Sequence, residues 1–206
     1  MKVRDIHLFF EDLSRRVDRP IQIVLTGGAA AILQGTSRAT FDIDFELRLK
    51  KASDSSWDQV QKAIAETSTA TGVAAQYGED IHQWSAIVLP SKQSRLYRRF
   101  GKVEVRILNP GLWAIGKLAR YLSSDVQDLR IVLKATETRP KAMATLWGTA
   151  LGMSPASSSQ GTFRKQVENF IEQYGREIWG VQADPAAIIR LFLEAAQKAR
   201  RSRRSE

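Results

Sequence analysis

Between Val24 and Leu47 the chain reads VLTGGAAAILQGTSRATFDIDFEL, and the spacing of its apolar residues changes twice. Few folds accommodate such a stretch. Val24 and Leu25 close an apolar run that reads as a strand, Thr26-Gly27-Gly28 interrupts it, and Gly28 to Leu33 reads as a short helix stopped by Gly35. A glycine pair lets the backbone turn sharply with no Cβ in the way. Free N–H groups at a strand-to-helix turn point outward and suit an anion. Phe41 to Leu49 then alternates, and strand side chains take opposite faces with period two. Asp42, Asp44 and Glu46 therefore share one face, and Ile43, Phe45 and Leu47 the other. Acids on a sheet edge beside a glycine turn can hold a divalent metal and a triphosphate.

The remaining chain splits at Asn109-Pro110. Before it, Ile6, Phe9, Phe10, Leu13 and Val17 stand at helical spacing, so Val3 to Val17 is expected as an amphipathic helix. Strands are expected over Ile21–Leu25, Val73–Tyr77, Trp84–Leu89 and Lys102–Leu108, and a helix capped by Ser55 or Ser56 through about Ser68. The segment SKQSRLYRRFGK reads as a basic loop. After Gly111 only helical periods remain: 112–122, 126–136, 141–151, 163–174 and 185–200, separated by Pro140, the run 154–161 and Gly175. The expected class is α+β: a mixed sheet with flanking helices over 1–109, then an all-helical part over 110–206 ending in a basic tail.

Composition narrows the function classes. No apolar run reaches membrane-span length and MKVRDIHLFFEDL is too charged for a signal peptide, so a cytoplasmic protein is expected. Cysteine is absent, which excludes thiolate chemistry, and two histidines argue against a His-rich zinc site. The net charge of +9 favours polyanions, although KARRSRRSE at the end supplies part of it.

Two aspartates one residue apart on a strand suit Mg²⁺, which takes carboxylate oxygens and substrate phosphates. Two such metals can serve nucleotidyl transfer, and a third carboxylate would complete the second site. Glu104, on the polar face of the last strand, is the candidate; Glu46 competes but lies further along its strand.

Taken together, Gly27-Gly28, Arg38, Thr40 and Asp42-Ile43-Asp44 resemble the signature of the nucleotidyltransferase superfamily, and most nearly its AbiEii-like members, toxins of type IV toxin–antitoxin systems. The likeness extends to ILNPGLWAIGKLARYLSSDVQDL, where such proteins have a strand, a proline-started helix with a lysine, and paired acids; Lys117, Asp125 and Asp128 stand at those places. The resemblance implies a nucleotidyltransferase fold. Gly27 and Gly28 would cradle the triphosphate with Arg38 and Thr40 beside them, Asp42 and Asp44 would bind Mg²⁺ or Mn²⁺, and Lys117 would reach the phosphates. Two positions depart from the pattern. Val126 and Gln127 fill the gap between the helical acids where a basic residue is usual, and the third carboxylate would be a glutamate.

Each residue also has a plainer reading. Glu104 can pair with Arg106 or Lys102 across a sheet, and Arg38 can stabilise the turn. Lys117 can be a snorkelling surface lysine. Asp125 can be a first-turn acid behind a Ser123 or Ser124 cap. In the basic loop, Arg95, Arg98, Arg99 and Lys102 alternate with Tyr97 and Phe100, which suits single-stranded nucleic acid or a solvated hairpin tip. The tail 200–204 reads as a solvated, disordered end, the five tryptophans as core or interface residues, and His82 as a turn residue without a catalytic role.

The leading expectation is an Mg²⁺-dependent nucleotidyltransferase moving a nucleoside monophosphate from an NTP to a hydroxyl of RNA (tRNA especially) or of protein, with no membrane partner. The AbiEii likeness implies a toxin whose antitoxin protein is encoded separately. The alternatives are a non-catalytic nucleotide- or RNA-binding module on the same fold, and a basic docking face for an acidic protein.

Overall fold

The computed structural model describes residues 1–37, 39–49, 54–80 and 85–204. Arg38, His82 and Trp84 lie outside them. The fold is α+β, and the chain divides into two compact units, Met1–Ile81 with Ser94–Leu108, and His82–Gln93 with Asn109–Glu206.

The first unit carries a five-stranded mixed sheet in the order β3-β2-β1-β5-β4. Its strands are β1 (Ile21–Leu25), β2 (Asp42–Leu49), β3 (Ala74–Gly78), β4 (Ser94–Phe100) and β5 (Val103–Leu108). β1 runs antiparallel to β2 and parallel to β5. Its helices are α1 (Val3–Arg16), α2 (Gly27–Leu33) and α3 (Asp54–Thr71). The alternation in β1, β2 and β5 turns Ile23, Leu25, Ile43, Phe45, Val103, Val105 and Ile107 inward, all of them buried. The α1 stripe Ile6, Phe9, Phe10 and Leu13 is buried with them. Phe10 meets Phe45 at 6.4 Å and Phe100 at 5.8 Å between ring centroids. Each such ring or aliphatic chain stabilises the fold by about 1.5–3 kcal/mol.

The second unit contains α4 (Pro110–Arg120), α5 (Ser123–Ala135), α6 (Pro140–Met153), α7 (Ser158–Trp179) and α8 (Pro185–Arg204). Asn109 caps α4, its side chain accepting from Gly111 N–H at 3.0 Å, with Pro110 at the first helical position. Trp147 is fully buried and donates its indole N–H to the Gly111 carbonyl. A Cβ at Gly148 or Gly152 would come 2.7 Å from those of Ala195 or Ala199, so α6 and α8 approach at backbone distance.

Several expectations are corrected. The basic segment is a strand, β4, and its poor alternation reflects an edge position with a register shift between Leu96 and Arg98. Residues 85–89 form no strand; Ser154 accepts the Val88 N–H at 2.9 Å. α3 begins at Asp54, so Ser55 and Ser56 fall inside the helix. Gly175 is buried within α7 rather than ending it. The tail is helical through Arg204.

Candidate functional site

β1 ends at Leu25, and Thr26 continues its ladder by donating its N–H to the Asp44 carbonyl at 3.0 Å. Gly27 follows with φ +59°, the left-handed region that glycine occupies without strain. This conformation brings the chain against the side chain of Asp44. A Cβ built on Gly27 would overlap that carboxyl group, 2.7 Å from its Cγ and 2.9 Å from its Cβ. The glycine turn and the acidic strand are therefore one site. Gly28, buried, follows inside α2.

Asp42 stands one pleat away and is oriented from both sides. Its Oδ1 accepts from the Thr40 hydroxyl at 3.3 Å and its Oδ2 from the Gln76 amide at 3.0 Å. Gln76, on β3 opposite Asp44, is a positioning residue that nothing in the AAQYG segment marks. Thr40 is buried, and its carbonyl accepts from the terminal amine of Met1. Phe41 is 89% exposed beside these acids. With Leu8 and Val73 it lines an open cleft of about 590 Å³.

The third expected acid is elsewhere. Glu104 pairs in register with Gln22 on β1, and Gln22 with Arg48 on β2. Arg48 is four residues beyond Asp44, about 13 Å along the strand. Continued one residue, the register puts Leu108 in the row of Thr26 and Asp44, so an apolar side chain stands where the third carboxylate was expected. Glu104 is also saturated. Arg99 donates to one of its oxygens at 2.8 and 3.1 Å, and Gln22 and Arg106 donate to the other at 2.9 and 3.1 Å. These hydrogen bonds, Arg99's foremost, hold its carboxyl down at about 2. Glu46 is buried and paired with Arg48. Among the described residues no three acids or histidines gather as a metal site.

The second motif lies in the helical unit. Lys117 is not a snorkelling surface lysine; it is 4% exposed and donates to Asp125 and Asp128, 2.9 Å to each. Asp125 also accepts twice from Arg120 and once from the Leu122 N–H. Leu122, not Ser123 or Ser124, is the N-cap of α5. Burial pushes the Asp125 carboxyl up, but the hydrogen bonds from Arg120 and Lys117 outweigh it and hold the group below the ordinary carboxylate value.

No protein-family model, curated protein or solved structure matches this chain. Its chemistry must be read from the site. Asp42 and Asp44 offer hard oxygen donors of the kind Mg²⁺ takes together with phosphates. Because Gly27 has no side chain, the Asp44 carboxyl lies directly against the main chain of the turn. Two carboxylates of this kind fit a hard divalent ion.

Proposed function

We propose that the Gly27–Asp44 corner binds a nucleoside triphosphate with Mg²⁺ or Mn²⁺, and that the chain transfers a nucleoside monophosphate to an acceptor hydroxyl. The observation that carries this reading is the Asp44 carboxyl lying against a side-chain-free backbone. Asp42 and Asp44 would hold the metal, which supplies charge neutralisation for the phosphates. Thr40 and Gln76 keep the Asp42 oxygens aimed, and Gly27 and Gly28 let the polyphosphate approach the main chain. Phe41 offers an exposed ring for a base to lie against. In the transfer the acceptor oxygen bonds the α-phosphorus, the bond to the β-phosphate breaks, pyrophosphate leaves and the hydroxyl proton passes to solvent. Lys117, buried and paired with Asp125 and Asp128, is taken up within the helical unit and has no part in this reading. A toxin role with a separate antitoxin belongs to the AbiEii resemblance alone.

A second reading is nucleotide binding without transfer, favoured by Glu104, whose carboxylate is taken by Arg99 and Arg106. One experiment separates the two. The protein is incubated with each labelled NTP, Mg²⁺ or Mn²⁺, and total cellular RNA or protein. A labelled acceptor with pyrophosphate release, lost in Asp42→Ala and Asp44→Ala, is the expected result. Nucleotide binding without pyrophosphate selects the second reading, and the absence of both binding and transfer rejects the site.

A further inference from the structure

We propose that the outer edge of the sheet, β4, is a binding surface for base-paired nucleic acid, which it grips by the phosphates. Arg95 and Arg98 are three residues apart and would face opposite ways in a regular strand. The register shift between Leu96 and Arg98 changes this: Arg95 pairs with Ile107 and Arg98 with Val105. Because Val105 and Ile107 share a face of β5, the bulge puts both arginines on one side, and both are exposed. Their spacing is that of two strand residues, about 6.7 Å. Two cations so placed can meet neighbouring phosphates of one duplex strand. Arg99, its side chain 69% exposed, lies on the other face beside Glu104. Arginine forks match phosphate oxygens in pairs.

The aromatic residues favour paired over single-stranded nucleic acid. Phe100 is buried, and Tyr97 is hydrogen-bonded to His7 at 2.7 Å with the two rings 5.8 Å apart. These rings serve the packing of α1 on the sheet, so the edge presents charge without a stacking platform. A duplex, whose bases already stack on one another, asks only for charge. A bulged edge carrying several cations also resists pairing with another protein's strand. The inference goes beyond the transferase reading and does not depend on it.

The test is fluorescence anisotropy of a labelled RNA hairpin with the full chain, in EDTA without nucleotide, across a salt series. Binding is expected to be salt-sensitive. Arg95→Glu with Arg98→Glu should weaken it about tenfold or more at low salt and flatten the slope of log K against log salt by about 2. Arg95→Gln alone should flatten it by about 1, and the double lysine variant should keep the slope. Unchanged binding and slope in a charge-reversed protein with an unaltered circular dichroism spectrum overturns the proposal. So does tighter binding of an unpaired oligouridine of equal length, or of polyglutamate. With metal and nucleotide absent, failure here leaves the Asp42 and Asp44 assay unaffected, and the reverse holds too.

Discussion

The backbone of Gly27 lies so close to the carboxyl of Asp44 that no side chain fits between them. Gly27→Ala should therefore do two kinds of damage. The left-handed backbone costs alanine about 1–2 kcal/mol, and the new methyl displaces Asp44. A lower urea midpoint, together with loss of Mg²⁺-dependent NTP binding, is the expected outcome. Gly161→Ala, in α7 with open space where the methyl would go, should instead stabilise by about 0.4–1 kcal/mol.

Glu104 gives a pH signature. Its carboxyl titrates at about 2 in the folded chain against an ordinary 4.5. A group with a depressed folded value stabilises above its unfolded value and loses that contribution as pH falls towards the folded one. The urea midpoint of the native protein should exceed that of Glu104→Gln at neutral pH. The gap should narrow between about pH 4.5 and 2. A constant gap across that window would show that Arg99 and Arg106 are not what hold this carboxylate.

Lys117 neutralises two fully buried carboxylates. Removing one member of a buried ion network leaves uncompensated charge, so Lys117→Met should cost about 3–5 kcal/mol. Arg120, 58% exposed although it too reaches Asp125, should cost about 1 kcal/mol or less as Arg120→Ala. Chemical denaturation of the two variants compares them directly, and equal losses would contradict this ranking.

Burial, and then the charge of Arg98, hold the His7 imidazole below its ordinary 6.5. The unfolded chain then takes up the proton first, so this residue's contribution weakens the fold as pH drops through that value. Arg98→Glu should raise the His7 value in an NMR titration. No movement would mean that Arg98 points away from α1.

The central unit of this fold could be read from residue order because local physics determines it. Ile21–Leu25 and the alternating FDIDFEL have a period of two that only a strand satisfies, and Gly27 has a turn to make. β4 was hidden because SRLYRRF carries cations on both sides, as an edge exposed to water permits, and because its bulge erases the alternation. Glu104 shows the corresponding limit for the site. Its polar face was evident, but its distance from Asp44 depends on the offset between β1 and β5, which no local pattern encodes. Lys117 lay among apolar helical neighbours as a surface lysine would, and its burial depends on acids eight and eleven positions later.

The middle strand of the sheet also dictates the order in which this chain can be completed. Ile21 pairs with Leu49 on one side and Val103 on the other. As the chain leaves the ribosome, the first partner arrives soon and the second only after more than fifty further residues. Until then one flank of Ile21–Leu25 has open hydrogen-bonding groups beside a greasy surface, the kind of intermediate that invites aggregation. Nascent chains halted shortly before Val103 should therefore lean most heavily on chaperones.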